Sequence, residues 1–212
     1  MTSSLWSIVL AAGQGMRLAA STGGKRKQFL PFCGAPMYWR SVQTLAPVPA
    51  LRGIVLVFPA QDFDVHVADL ERLVHQNAPG VPVHAVRGGD RRQDSVRHGL
   101  AAVPGECDQV LVHDSARPFF SACLVHALCT ALTESVQGVV PGSALTDTIK
   151  EVEADVVQRT LDRSRLIGVQ TPQLFRTSVL RATHDRALAE DWQVTDDASM
   201  LELAGHVVGI VP

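Results

Sequence analysis

The sequence has few cysteines and no paired arrangement of them. Its four cysteines form no C-x-x-C pair and lack the spacing of zinc ligands; they are Cys33, Cys107, Cys123 and Cys129. We therefore expect reduced thiols and a cytoplasmic protein, and not a disulfide framework or a zinc site.

Long apolar runs and an excess of positive charge are also absent. No stretch reaches the roughly 18 apolar residues that a membrane span needs. The amino-terminal "MTSSLWSIVLAAG" lacks the basic segment of a signal peptide. The formal net charge is -2, so no overall positive field attracts nucleic acid or an anionic membrane. We expect neither as a partner, and any anion must be bound locally.

Short, continuous apolar runs separated by amphipathic stretches fill most of the chain. Such runs are typical of strands that are buried on both faces; they are 5–12, 53–58, 83–86, 109–114, 138–140 and 206–211. Residues 63–77 and 120–136 carry apolar residues at helical spacing. This alternation predicts one α/β domain over 1–212, with a mostly parallel sheet covered by helices on both faces.

One segment departs from this pattern. Residues 147–163, "DTIKEVEADVVQRTLDR", alternate polar and apolar side chains around the polar "EAD". This predicts a β-hairpin that is only half apolar and projects from the sheet as an arm at about 145–163. A projecting hairpin of this kind serves as a dimer arm or a lid, because its edges must be covered.

The first apolar run leads into a glycine-rich turn and basic residues. Gly13 and Gly15 let the backbone pass close to a ligand, and Arg17 and Lys27 offer charge-assisted contacts to phosphate. The dinucleotide fingerprint fails because Leu18 stands where glycine is needed. The P-loop motif fails because Arg26, and not serine or threonine, follows Lys25. The alternative is an ordinary glycine-rich turn with surface cations.

A second glycine turn, "VRGGDRRQDSV" at 86–96, has the same layout. Gly88 and Gly89 would expose the backbone to a nucleobase, and Asp90 and Ser95 would add polar contacts. We expect Asp94 or Ser95 to cap the helix that follows. The alternative is simply a capped loop between strand and helix.

A carboxylate ends the apolar run at 109–114. Asp114 would lie at the edge of the sheet where ligands bind. Mg²⁺ favours one or two protein carboxylates together with phosphate oxygens, so Asp114 is the candidate metal ligand. The alternative is a structural ion pair between Asp114 and Arg117.

Taken together, these motifs resemble those of 2-C-methyl-D-erythritol 4-phosphate cytidylyltransferases, in the same order and over nearly the whole chain. The motifs are "LAAGQGMR", "KQFL", "GGDRRQDSV", "VHDSARPF", "DTIK", "LDR", "TPQLF" and "TDDAS". The resemblance implies a three-layer nucleotidyltransferase-like (Rossmann-like) fold. It also implies transfer of CMP from CTP to the 4-phosphate, with Mg²⁺, in non-mevalonate isoprenoid biosynthesis. Members are homodimers in which the arm of one subunit reaches the partner's site.

The resemblance also implies roles for individual residues. Arg17 and Lys27 would be catalytic cations at the CTP phosphates, and Asp114 would hold the metal. Further contacts to CTP would come from Ala11, Ala12, Gly13, Gly15, Gly89, Asp90 and Ser95. The polyol phosphate would be bound by Thr148 and Arg163, and Arg117 would support the loop after Asp114.

Two departures from the family pattern stand out. Arg26 occupies a position where the family usually has proline. The family also continues past a "GHVVGIV"-like strand with a segment that adds phosphate and metal contacts, whereas this chain stops at Pro212. We therefore expect half of a fusion enzyme or a missing tail, and weak turnover by these 212 residues alone. Two other functions stay open: a ribitol 5-phosphate or other sugar-phosphate cytidylyltransferase, and a catalytically dead nucleotide-binding module.

Overall fold

A computed structural model describes residues 3–13 and 26–212 of the chain. Its strands are β1 (Leu5–Leu10), β2 (Pro31–Phe32), β3 (Ala35–Pro36), β4 (Leu51–Phe58), β5 (Val83–Arg87), β6 (Gln109–Asp114), β7 (Gly138–Ala144), β8 (Lys150–Glu153), β9 (Val156–Thr160), β10 (Ile167–Val169), β11 (Gln173–Arg176) and β12 (Val208–Val211). Its helices are α1 (Met37–Leu45), α2 (Phe63–Asn77), α3 (Arg92–Ala102), α4 (Ala122–Ala131), α5 (Thr177–Ala189) and α6 (Asp197–Leu203).

The central sheet is mostly parallel, as predicted. Its strand order is β10-β7-β11-β6-β1-β4-β5, and β12 pairs with β7. β1 lies between β4 and β6 and is parallel to both. β11 runs antiparallel to its neighbours β6 and β7, and β10 runs antiparallel to β7. The carboxyl ends of β1, β4, β5 and β6 therefore meet at one edge of the sheet.

Side chains of β1 show why its apolar run is continuous. All six of its residues are buried. Leu5 and Val9 pack into a cluster with residues of α1, α2 and α4, whereas Trp6, Ile8 and Leu10 pack into another with residues of α3, α5 and α6. Helices thus cover both faces of the sheet, which confirms the predicted three-layer fold.

The predicted hairpin is also confirmed. β8 and β9 form a separate two-stranded antiparallel sheet in which every residue is exposed. Ala154 and Asp155 form its turn with left-handed φ angles of 46° and 64°. This matches the two positive φ values that a tight hairpin of type I′ requires.

Two local predictions were wrong. The helix expected over 120–136 is shorter: the Ser121 side chain accepts a hydrogen bond from the backbone N–H of Leu124 and caps its start, and the backbone is already extended at Leu132, which ends it at Ala131. Neither Asp94 nor Ser95 is the amino-terminal cap of α3. Arg91 holds that position, and its backbone N–H donates to the Asp94 carboxylate at 3.2 Å.

No helix within the described residues is long and apolar enough to cross a membrane.

Candidate active site

A cleft of about 590 Å³ opens at the carboxyl ends of β1, β4, β5 and β6. Open α/β sheets bind their ligands at this edge. Its walls are formed by Leu10, Ala12, Gly13, Arg26, Gln28, Pro59, Ala60, Gln61, Gly88, Gly89, Asp90, Arg91, Arg92, Ser95, Asp114, Ser115, Ala116 and Arg117.

The cleft brings together eight of the residues selected from the sequence. These are Ala12, Gly13, Gly88, Gly89, Asp90, Ser95, Asp114 and Arg117. Three loops that are far apart in the chain therefore line the same cleft. This is required if each loop is a turn that binds the same ligand.

Other selected residues lie elsewhere. Ala11 is buried, and its N–H donates to the carbonyl oxygen of Val57 at 2.8 Å. Lys27 begins a short 3-10 turn and does not line the cleft, although both of its chain neighbours do. Thr148 and Arg163 are exposed at the base of the hairpin, outside the cleft lining. Gly15 and Arg17 lie outside the described residues.

Gln28 fixes the end of β1, and the sequence analysis did not single it out. Its buried side-chain nitrogen donates to the carbonyl oxygens of Ala11 and Gly13, both at 2.7 Å. The only signal in the sequence was its place inside the "KQFL" motif. Its two bonds set the direction in which the chain leaves the strand and enters the cleft.

In the second turn, glycine is required by close packing. A Cβ on Gly88 would lie 2.5 Å from the Cβ of Ala12, and one on Gly89 would lie 2.4 Å from the Cβ of Asp94. The N–H of Gly88 donates to Phe58 at 2.7 Å, and that of Gly89 donates to Ser95 Oγ at 3.1 Å. Both amides are occupied by protein acceptors, so neither N–H group is free for a ligand, whereas Asp90 is exposed in the cleft lining.

Asp114 is held from two directions. Its backbone N–H donates to Thr171 Oγ1 at 3.2 Å, and Arg92 Nε donates to its Oδ1 at 3.3 Å. The alternative that paired Asp114 with Arg117 was wrong about the partner. The Arg117 side chain donates instead to Gln170, and its backbone N–H donates to the carbonyl oxygen of Asp114 at 2.9 Å.

A buried carboxylate lies behind Arg92. Arg92 Nη1 donates to Asp197 Oδ2 at 2.7 Å, and His184 Nε2 lies 2.9 Å from Asp197 Oδ1. Burial opposes ionisation of Asp197, but the hydrogen bond from His184 and the charge of Arg92 outweigh it, so the pKa of Asp197 is lowered. Burial likewise disfavours the charged guanidinium, but Asp197 and Asp114 together raise the pKa of Arg92 above its usual value.

His113 lies directly under this edge of the sheet. It is fully buried, and its Nδ1 is 3.0 Å from Thr171 Oγ1. Burial, with a smaller contribution from the Arg117 charge, lowers the pKa of His113 to about 3. The ring is therefore neutral at physiological pH and acts as a fixed partner for Thr171.

The cleft suits a polyanion with a metal ion. Four arginines and two aspartates line it. Among the described residues there is no group of three or more histidine, cysteine, aspartate or glutamate side chains that could hold a metal by themselves. Of the two aspartates, Asp114 lies at the end of β6, and one carboxylate at that place fits a Mg²⁺ ion whose other ligands are phosphate oxygens and water.

Fold and site together define an α/β protein of the nucleotidyltransferase-like class. The solved 4-diphosphocytidyl-2C-methyl-D-erythritol synthase of Anaerococcus prevotii superposes with a TM-score of 0.83 at 26% identity, over 100% of this chain and 89% of that one. The chain belongs to the 2-C-methyl-D-erythritol 4-phosphate cytidylyltransferase (IspD) family, whose model matches residues 5–212.

Relatives of two lengths are similar to this chain. A bifunctional IspD/IspF enzyme of Nitratidesulfovibrio vulgaris is 48% identical over 206 residues, which are 97% of this chain and 52% of that protein. The 2-C-methyl-D-erythritol 4-phosphate cytidylyltransferase of Thermosynechococcus vestitus is 38% identical over 96% of this chain and 84% of that protein. The chain thus spans about half the length of the bifunctional relatives.

Proposed function

We propose that this chain transfers CMP from CTP to 2-C-methyl-D-erythritol 4-phosphate in non-mevalonate isoprenoid biosynthesis. The products are 4-diphosphocytidyl-2-C-methyl-D-erythritol and diphosphate. The observation that carries the proposal is the position of Gly13 and Asp114 in one arginine-lined cleft at the carboxyl edge of the sheet. Family membership supports the identity of both substrates.

The reaction needs an aligned pair of phosphates more than it needs a strong base. An oxygen of the polyol phosphate attacks the α-phosphorus of CTP, and the bond from that phosphorus to the oxygen that bridges the α- and β-phosphates breaks, so that diphosphate leaves. The attacking phosphate is already an anionic nucleophile, so catalysis consists of positioning and charge neutralisation. We assign the neutralising role to Arg17 and Lys27, with Arg26 as an additional cation at the cleft wall.

Asp114 would hold the Mg²⁺ ion, which supplies charge neutralisation at the phosphates of CTP when it is bound. The protein's own part is to fix the backbone of Asp114 through Thr171 and its carboxylate through Arg92. Asp90, Ser95 and the carbonyl oxygens of the second glycine turn would select the cytosine base. A base that leaves those polar groups unpaired is rejected at a cost in binding free energy.

We further propose a homodimer in which the arm of one subunit completes the site of the other. Thr148 and Arg163, the residues assigned to the polyol phosphate, do not line the cleft of their own chain. The arm also exposes three valines, Val152, Val156 and Val157, by 59%, 60% and 55%. A partner subunit would cover this apolar surface.

We place the enzyme in the cytoplasm, where its four free cysteines stay reduced.

The test is release of diphosphate by the full chain from CTP, Mg²⁺ and 2-C-methyl-D-erythritol 4-phosphate. We expect Asp114→Asn to lower kcat by two or more orders of magnitude, on the scale of a lost transition-state contact. Asp185→Asn, which changes an exposed carboxylate on α5 outside the cleft lining, is the matched control. Faster turnover with ribitol 5-phosphate would change the substrate assignment, and CTP binding without diphosphate release from any acceptor would indicate a dead binding module.

A further inference from the structure

We propose that Arg92 is a positioning residue that fixes the Asp114 carboxylate for metal binding, and that buried Asp197 is what holds Arg92 in place. This inference rests on the proposed function, because it assigns a purpose to the carboxylate that would carry Mg²⁺. It adds Arg92, Asp197 and His184 to the residues on which the site depends.

The geometry is a chain of paired charges that leads out of the cleft into the core. Arg92 is the first residue of α3, and it uses two different nitrogens for two carboxylates. Nε donates to Asp114 on β6 at 3.3 Å, and Nη1 donates to Asp197 on α6 at 2.7 Å. His184, on α5, contacts the second oxygen of Asp197 at 2.9 Å. One guanidinium therefore joins α3, β6 and α6 directly, and α5 is joined to it through Asp197.

Asp197 cannot act on a ligand directly. Its relative exposure is 0%, and it is not among the residues that line the cleft. A buried carboxylate has to be paired, because an isolated charge in the interior is strongly unfavourable. Asp197 therefore keeps the Arg92 guanidinium at one place, and any effect of Asp197 on the cleft has to pass through Arg92.

The pairing with Asp197 also decides what Arg92 does to Asp114. A lone arginine beside a metal ligand would cancel its charge and compete with the cation. Here the buried carboxylate already compensates the guanidinium, so the contact to Asp114 Oδ1 mainly sets the orientation of the carboxylate. Outer partners of metal ligands act in this way, and their loss typically weakens metal binding or activity by about 10- to 100-fold.

The experiment measures metal binding apart from turnover. Mn²⁺ binding to the full chain in the presence of CTP is followed by electron paramagnetic resonance, and CTP binding in EDTA by calorimetry. We expect Asp197→Asn to raise the Mn²⁺ Kd by about 10-fold and to leave the metal-free CTP Kd within about two-fold. Asp196→Asn makes the same chemical change one residue earlier, in a side chain that bonds Ser199 and Gln173. It is expected to change neither Kd.

A second variant keeps the proposal testable if Asp197→Asn does not fold. Arg92→Lys retains the positive charge next to Asp197, but one ammonium lacks the two separated donors that span both carboxylates. We expect it to weaken Mn²⁺ binding about as much as Asp197→Asn does. Unchanged Mn²⁺ binding in both variants would overturn the proposal. So would an equal loss of metal-free CTP binding, because that pattern indicates general damage to the cleft. A parent chain that binds neither CTP nor Mn²⁺ would instead refute the proposed function itself.

Discussion

The side-chain nitrogen of Gln28 donates to the carbonyl oxygen of Gly13 at 2.7 Å, and so joins the two sides of the first loop across the segment between them. The same nitrogen bonds Ala11, so Gln28 determines how β1 opens into the cleft. This bond links the "KQFL" motif directly to Gly13 of the glycine turn.

Replacement of Gln28 by leucine should therefore loosen the cleft and the fold together. We expect Gln28→Leu to lower the free energy of unfolding by about 1–3 kcal/mol, because the buried carbonyl oxygen of Ala11 loses its donor and the more exposed one of Gly13 loses its bond as well. CTP binding should weaken as well. Urea unfolding and calorimetry measure the two effects. Gln93→Leu removes a bond to Trp192 instead; if it changed CTP affinity equally, Gln28 would have no special role at the loop.

Arg26 and Lys27 are adjacent cations with different expected effects. Arg26 lines the cleft, so Arg26→Ala should mainly raise the KM for CTP, by roughly 10-fold for one charge-assisted contact. Lys27→Ala should lower kcat far more than CTP affinity, because we assign its contact to the transition state. Steady-state kinetics and CTP binding separate the two. Arg40→Ala, an exposed cation on α1, is the control, and equal losses of kcat and CTP affinity in Lys27→Ala would contradict its assignment.

His113 should make the fold sensitive to acid. Its pKa is about 3 in the folded chain and about 6.5 when unfolded, so the unfolded state binds the proton more tightly. The contribution of the neutral His113 ring to the free energy of unfolding is complete above pH 6.5. It decreases as pH falls, and about 4 kcal/mol of it is lost at pH 3. In metal-free buffer, His113→Asn should flatten the fall in unfolding free energy between pH 6.5 and 3. Parallel curves for the two proteins would contradict this.

The arm offers a test of assembly. Val157→Glu should convert the dimer to monomers in sedimentation experiments and lower turnover, because a charge would be buried at the contact. Val65→Glu introduces the same change at a valine of α2 that is 64% exposed and should leave the dimer intact. A dimer that survives Val157→Glu would place the contact elsewhere.

A mixing experiment tests whether the arm acts across subunits. Arg163→Ala and Asp114→Asn are each expected to be inactive alone. In a mixed dimer one site combines an intact Asp114 with the partner's intact arm, so equal mixing should restore up to about 25% of the parent activity. No restoration would mean that each arm serves its own cleft.

The sequence predicted those features that depend on a local pattern. β1 and β4 had to be continuously apolar because each lies between two strands and beneath helices on both faces. The hairpin followed from alternation, and the three loops of the cleft followed from glycines and charges next to strand ends. Gly15 and Arg17 lie outside the described residues, so their roles stay predictions.

What the sequence did not predict depends on contacts between distant residues. β11 is only four residues long, and nothing in "QLFR" specifies an antiparallel place between β6 and β7. Arg92 and Asp197 lie 105 positions apart, so their pairing appears only once α3 and α6 pack on the same face of the sheet. The "TDDAS" motif lies at the start of α6, but its residues alone do not show that Asp197 pairs with Arg92.

Because Arg92 contacts both Asp114 and Asp197, it also limits which substitutions the chain can accept during evolution. Loss of Arg92 would leave the buried Asp197 carboxylate with His184 as its only partner among the described residues, at a cost of about 3–5 kcal/mol for a broken buried pair. That is a large part of the total stability of a typical domain. Loss of Asp197 would cost less, because the Arg92 side chain is 30% exposed and keeps its contact to Asp114. Replacement of Arg92 and Asp197 by uncharged residues therefore requires near-simultaneous changes on two separate helices. We expect this requirement to conserve the packing of α3 and α6 around β6 during evolution.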